Sequence, residues 1–334
     1  MSGLYRKRFG KKETYLAEEN LLQNAFKKSL AAFKKYPKTT SSDQQAIFQL
    51  LDFGCGDGRM LSIFLRIANQ LTKEGIKLKI TAMDPVQEGL DQYKERLIKA
   101  GFILGENKSI LSKDNIEIKL TLGDQNNIKN LPDNFDMSVC MFGVLSHIPE
   151  RAERQKTLKN LNQKTRGCLA ITVPGKNIFR KRQKAFEEIR TMDAETENLL
   201  EPGDLMYTIK GSENLECGKI ANFYHLSTFD EFKKDLQIAE FHIDQIGISA
   251  ISHPTKLSRN RLFNNADKIA SEILTKILPP KLATEAACYI GCIAKNSELV
   301  KQEEQRPSAV PKLEKPLKIR AAFFKETISP EELR

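Results

Sequence analysis

The stretch LLDFGCGDG, residues 50 to 58, ends an apolar run at Asp52, and glycines follow at Gly54, Gly56 and Gly58. A helix-forming run begins directly after them. Glycines at such a turn tolerate positive φ and let the backbone pass close beneath a ligand, while the start of the next helix offers unpaired N–H groups. A dinucleotide-binding turn calls for GxGxxG; the spacing here is GxGxG, with an acid just ahead of it. Asp84 closes the next apolar run, in TAMDP, and a carboxylate at such a strand end can accept hydrogen bonds from a pair of ribose hydroxyls.

Further along, LGDQ (122 to 125) ends a third run with Asp124 and Gln125, and FDMSVCMFGVLSHIPE (135 to 150) carries Met141, Phe142 and His147. His147, and His225 beside Tyr224, are the candidates for a general base, because imidazole titrates near neutral pH. The six cysteines, Cys55, Cys140, Cys168, Cys217, Cys288 and Cys292, form no CxxC pair, several sit in apolar runs, and no metal site is expected. Reduced core thiols in a cytoplasmic protein are the reading that fits.

These residues together resemble the class I, Rossmann-like, S-adenosylmethionine-dependent methyltransferases, and residues 135 to 150 are similar to the FDxVxxxxVLxHI stretch of that superfamily. The resemblance implies a role for each residue. Asp52 would meet the ammonium side of the cofactor, and Gly54, Gly56 and Gly58 would line its backbone approach. Asp84 would hold the ribose. Asp124 would accept from the adenine amino group, with Gly123 or Gln125 adding backbone contacts. Met141, Phe142 and Gly143 would form the floor beneath the sulfonium. A methyl group on a sulfonium is already activated, so a base is needed only where the acceptor must lose a proton. FYH, residues 223 to 225, resembles in addition a tyrosine-histidine element of methyltransferases that finish the carboxymethyl group on tRNA wobble uridines. YRKRF, residues 5 to 9, lies where relatives place a lid over the cofactor carboxylate, with Tyr5 and Arg8 as its candidates.

The elements that must position these residues alternate in type. Apolar strand candidates at 46–53, 78–84, 116–124, 135–142 and 167–174 are separated by runs of helical period, and 241–251 and 286–295 supply two more. The expected fold is α/β: a Rossmann-like, mostly parallel sheet of seven strands with helices on both faces, plus an N-terminal helix and inserted helical segments. Ser227 or Thr228 caps a helix over 227–241. The expected division is a basic helical segment at 1–44, a methyltransferase domain at 45–296 with inserts at 175–224 and 255–281, and a disordered tail at 297–334. Residues 13 to 36 place Leu22, Ala25, Phe26, Ser29, Leu30 and Phe33 on one helical face and lysines on the other.

The formal charge is +10, and residues 1 to 40 hold ten Lys/Arg against three Asp/Glu. That bias suits an anionic partner or simply a solvated helix face. No apolar stretch reaches the roughly eighteen residues that would cross a bilayer. The favoured acceptor is a small or lipid-like molecule, because tryptophan is absent and aromatic residues are sparse in the basic segments. RNA is the alternative acceptor, with Arg180, Lys181 and Arg182 of the insert as its phosphate contacts. An NAD-dependent oxidoreductase and a non-catalytic scaffold are the competing classes; the glycine spacing speaks against the first and the set of Asp52, Asp84 and Asp124 against the second.

Overall fold

The computed structural model describes residues 16–35, 45–132, 134–175, 201–208, 221–250, 261–285, 287 and 289–304. The chain opens with α1 (Leu16–Lys35), β1 (Ile47–Phe53), α2 (Leu61–Thr72), β2 (Lys77–Asp84) and α3 (Gln87–Lys99). Three strands follow, β3 (Ile103–Leu104), β4 (Ile110–Lys113) and β5 (Ile116–Leu122), and after a 3-10 turn comes β6 (Phe135–Cys140). A second 3-10 turn, Val144–His147, leads into α4 (Arg151–Lys164) and β7 (Thr165–Pro174). The chain continues through β8 (Asp204–Thr208), β9 (Ala221–His225), α5 (Phe229–Ile238) and β10 (Phe241–Ala250), then α6 (Arg261–Ile277), α7 (Pro280–Glu285), β11 (Tyr289–Asn296) and α8 (Ser297–Glu304).

The main sheet has the strand order β10, β11, β7, β6, β1, β2, β5, β4, β3. β1 pairs in parallel with β2 and β6, and β5 and β7 extend the parallel run on either side. β11 is antiparallel to both β7 and β10. The expected seven strands are therefore nine, because β3 and β4 add a short antiparallel edge beside β5. Asp114, at φ 48°, turns β4 into β5, and Asp and Asn tolerate that left-handed backbone. The Asp-Asn pair in SILSKDNIEIKL is the legible signal for this hairpin.

Each face of the sheet buries one layer. Leu50 and Leu51, adjacent in β1, point to opposite sides, as the period of two requires. One side packs Phe48, Leu50, Ile80 and Val139 against α1, α2 and α3; the other packs Leu51, Leu169 and Ile171 against α4 and α5. α1 buries Leu22, Ala25, Phe26, Ser29 and Phe33 over β6, β7, β10 and β11, and keeps Lys27, Lys34 and Lys35 exposed. Its basic outer face is thus the solvated side of a core helix. Thr228 caps α5 in a full capping box with Glu231.

The insert contributes the antiparallel β8–β9 ribbon, and the first residues of the tail form α8 off the end of β11. Tyr5, Arg8, Arg180, Lys181, Arg182, Cys217 and Cys288 lie outside the described residues. Cys55, Cys140, Cys168 and Cys292 are free and buried. Among the described residues no helix is long and apolar enough to cross a membrane. Nor is any group of three or more His, Cys, Asp or Glu among them placed to hold a metal ion.

Candidate functional site

From β1 the chain first builds outward through β2 to β5, then returns to the other side of β1 with β6 and β7. The crevice above the carboxyl end of β1 is therefore the topological switch point, where open α/β sheets bind ligands. Asp52 and the glycine loop stand at the end of β1, Asp84 is the last residue of β2, and Met141 and Phe142 follow β6.

The loop is tied down from β2. Gly54 and Cys55 donate their amides to the Met83 carbonyl at 2.8 and 3.1 Å. Asp84 Oδ2 accepts from the Gly56 amide at 2.8 Å, and its Oδ1 accepts from the Val86 amide at 2.9 Å. Gly54, Gly56 and Gly58 all have positive φ. A Cβ on Gly58 would overlap the Tyr93 ring, whereas a Cβ on Gly56 would meet nothing within 4 Å. Gly58 is thus required by packing, and Gly56 keeps a space open beside the backbone.

Two buried acids of the central strands, at opposite ends of them, contrast. Asp136, 1% exposed, accepts from the Gln49 amide and from Arg166, both at 2.8 Å. Asp52, 3% exposed, keeps its buried Oδ2 without a hydrogen-bond partner among the described residues. Burial, and after it the charge of Asp84, pushes the Asp52 carboxyl up to about 7. Burial raises Asp84 as well, against the pull of its two backbone donors. The Tyr93 hydroxyl, also buried, has no partner among the described residues either. A buried acid without a donor costs stability unless a ligand supplies one. Asp52 beside Asp84 under an open glycine loop therefore suits a ligand with a cationic donor group and hydroxyls, and S-adenosylmethionine carries both.

Asp124 sits past β5. Its Oδ1 accepts from the Asn126 amide at 2.8 Å and its own amide donates to Asn127 Oδ1 at 3.0 Å, so the residue shapes the turn it occupies. Gln125 is half-buried on the same turn.

At the other rim, Met141 is buried in the core and Phe142 adopts φ 64°. The Arg59 guanidinium lies 3.6 Å from the centre of the Phe142 ring, and Tyr289 stacks on that ring at 5.4 Å and 14°. The hydroxyls of Tyr289 and Tyr224 are 3.2 Å apart, and the Tyr224 ring is 4.8 Å from that of His147. Tyr224 arrives on β9, which packs over the 144–147 turn, and fits there because Gly143 has no side chain.

The two candidate bases differ. His147 Nδ1 lies 3.1 Å from the Phe223 carbonyl. A carbonyl only accepts, so Nδ1 carries the proton and Nε2 keeps its lone pair. His147 retains an exposed edge, yet the protein around the ring lowers its pKa by desolvation, against the opposing pull of the Phe223 carbonyl. His225 is 2% exposed and has both nitrogens engaged, Nδ1 with Asp204 at 2.6 Å and Nε2 with Glu231 at 3.0 Å. It clasps the ribbon to α5.

Four residues of this region are not legible as site residues in the sequence: Glu18, Arg59, Thr172 and Tyr289. Glu18 Oε2 pairs with Arg59 at 2.7 Å, and Thr172 lies 3.4 Å from Glu18 Oε1. Glu18 shares the helical face of Leu22, Ala25 and Phe26, and an acid on a buried face is the available signal.

No protein-family model matches the chain, and no curated protein sequence matches it. Solved structures with similar folds include an S-adenosylmethionine-dependent methyltransferase from Methanosarcina mazei, at 17% identity and TM-score 0.45, covering 75% of this chain and 93% of that one. Another from Clostridium acetobutylicum has 11% identity and TM-score 0.45, with 84% and 92% covered. A magnesium protoporphyrin IX methyltransferase from Synechocystis has 11% identity and TM-score 0.45, with 88% and 94% covered.

Proposed function

We propose that the chain is an S-adenosylmethionine-dependent methyltransferase. The observation that carries the reading is the buried Oδ2 of Asp52, which has no hydrogen-bond partner among the described residues and stands beside Asp84. Asp52 would receive the ammonium side of the cofactor, the Gly54–Gly58 backbone would run alongside it, and Asp84 would accept from the ribose with lone pairs left over from its two amide bonds. Asp124 and Gln125 would flank the adenine, and Met141 and Phe142 the region of the sulfonium. When bound, the cofactor supplies a methyl group already activated for displacement. The chain's own task is to orient the acceptor, exclude water and, where the acceptor carries a proton, remove it at His147 Nε2.

Sheet order favours this reading over an NAD-dependent oxidoreductase. Dinucleotide-binding sheets run 3-2-1-4-5-6. Here the seven strands of the alternation, β1, β2, β5, β6, β7, β10 and β11, run 3-2-1-4-5-7-6, with the antiparallel β11 set between β7 and β10. Titration calorimetry with S-adenosylmethionine, its demethylated product and NAD tests the assignment, and tighter binding of NAD would overturn it.

For the acceptor we propose a small or lipid-like molecule. The rim above β6 and β7 is built from Phe142, Tyr289, Tyr224 and His147, and the Arg59 cation there is matched by Glu18. Incubation with methyl-labelled cofactor and fractionated extract should place label in the small-molecule or lipid fraction. Label in RNA, together with tRNA retention on filters that falls steeply with salt, would reverse the choice.

A further inference from the structure

One carboxylate on α1 reaches both sides of Phe142. Glu18 is fully buried. Its Oε2 accepts from Arg59 Nη2 at 2.7 Å, and the Arg59 guanidinium carbon lies 3.6 Å from the centre of the Phe142 ring. Its Oε1 lies 3.4 Å from Thr172 Oγ1, and Thr172 Oγ1 receives the Phe142 amide at 2.5 Å. Burial raises the Glu18 carboxyl against the opposing pull of Arg59 and Thr172; as the ionised partner of Arg59 it only accepts, so the Thr172 hydroxyl donates to Glu18 and turns a lone pair towards Phe142. Phe142 needs such help, because φ 64° is a backbone conformation that a phenylalanine adopts only when its surroundings impose it.

We propose that Glu18 is a positioning residue of the site: through Arg59 it fixes the ring of Phe142, and through Thr172 it fixes the backbone. The proposal rests on the methyltransferase reading for its functional meaning. Arg59 directly follows Gly58, and Phe142 is the second residue past β6. The one carboxylate thus couples the end of the cofactor loop to the turn that carries the acceptor rim. α1 then completes the site instead of merely covering the sheet, and its apolar stripe seats Glu18 at the carboxyl edge of β7.

The decisive substitution is Glu18→Gln. An amide has one acceptor oxygen where a carboxylate has two, so it keeps Thr172 or Arg59 and loses the other. The first readout needs no ligand. In full-length protein labelled with nitrogen-15 phenylalanine, the Phe142 amide resonance, assigned with Phe142→Leu, reports its bond to Thr172. Glu18→Gln should move this resonance, Thr172→Val should move it too, and the double variant should show less than the sum of the two shifts. The second readout is calorimetric titration with S-adenosylhomocysteine, which should bind about tenfold more weakly to Glu18→Gln. Arg59→Lys, which keeps the charge but not the flat guanidinium, should not restore wild-type affinity.

A Phe142 resonance unmoved in Glu18→Gln would overturn the proposal, even if the melting temperature fell, because a merely structural acid would do no more than that. Failure of the wild-type chain to bind S-adenosylhomocysteine would overturn the cofactor reading instead; the resonance would still report whether Glu18 governs Phe142.

Discussion

Asp84 Oδ2 accepts the amide of Gly56 at 2.8 Å, so the acid that ends β2 also fixes the loop that follows β1. Its other oxygen holds the Val86 amide at the entry to α3. In the proposed site the same acid would also hold the ribose, and the two contributions separate by substitution. Asp84→Ala should weaken S-adenosylmethionine binding by about 2 to 3 kcal/mol, the worth of a charged acceptor, and should also lower stability by about 1 kcal/mol per orphaned amide. Asp84→Asn, which can still accept one amide, should recover part of the stability and little of the binding. Calorimetry and chemical denaturation read the two effects. Normal binding by a folded Asp84→Ala would assign the ribose to another acid.

The glycines divide in the same manner. Gly58→Ala would drive a methyl group into the Tyr93 ring at a positive φ, so overpacking of about 1 to 3 kcal/mol adds to a backbone cost of about 1 to 2 kcal/mol. Gly56→Ala meets open space and carries the backbone cost alone. Gly56→Ala should therefore remain well folded but lose cofactor affinity, because its methyl group would fill the space left open for the proposed ligand. Gly58→Ala should melt markedly lower. Equal melting temperatures for the two would contradict the packing role of Tyr93.

How much of this is written in the sequence depends on range. The strand ends at Asp52 and Asp84 and the glycine turn are legible, because local period and turn chemistry specify them. The β4–β5 hairpin is legible only at its Asp-Asn turn, because β4 is four residues long and too short to show a period of its own. Glu18, Thr172 and Tyr289 are hidden for a different reason: they meet Phe142 or Arg59 only after α1, β7 and β11 have packed, and no spacing rule links residues so far apart. Conversely, His147 and His225 look alike in sequence and are told apart only by what their nitrogens face.

The raised pKa of Asp52 makes both stability and binding depend on pH. The carboxyl stands at about 7 in the folded chain against 3.8 as its ordinary value, and Asp84 is shifted in the same direction. Between those values the folded chain holds a proton that the unfolded chain has released, so stability is full below about pH 4 and declines as pH rises through 7. A cationic ligand requires the ionised form, so its apparent affinity should rise by up to about tenfold per pH unit below 7 and level off above. Asp52→Asn should flatten both profiles and stabilise the ligand-free chain above pH 7. Urea midpoints and calorimetry from pH 5 to 8 provide the check, and a wild-type affinity independent of pH over that range would remove Asp52 from the cationic end of the ligand.

The two histidines should part company in a single pair of experiments. His225→Ala leaves Asp204 and Glu231 facing a cavity without their shared imidazole, and removing one partner of a buried hydrogen-bonded cluster that contains carboxylates costs about 3 to 5 kcal/mol. Its main effect should be a large fall in melting temperature, with activity lost as the ribbon comes away from α5. His147→Gln removes one hydrogen bond at a partly open edge and should change stability by about 1 kcal/mol or less. Against an acceptor that must lose a proton, it should lower the rate of methyl transfer by about 10² to 10⁴-fold while leaving the affinity for S-adenosylhomocysteine unchanged. The desolvation that lowers the pKa of His147 keeps Nε2 unprotonated at neutral pH, so at saturating cofactor the wild-type rate should hold its plateau down to slightly acid pH and fall only below it. A His147→Gln variant that transfers methyl groups at the wild-type rate, with the same pH profile, would exclude it as the base and point to an acceptor, such as a carboxylate, that needs none.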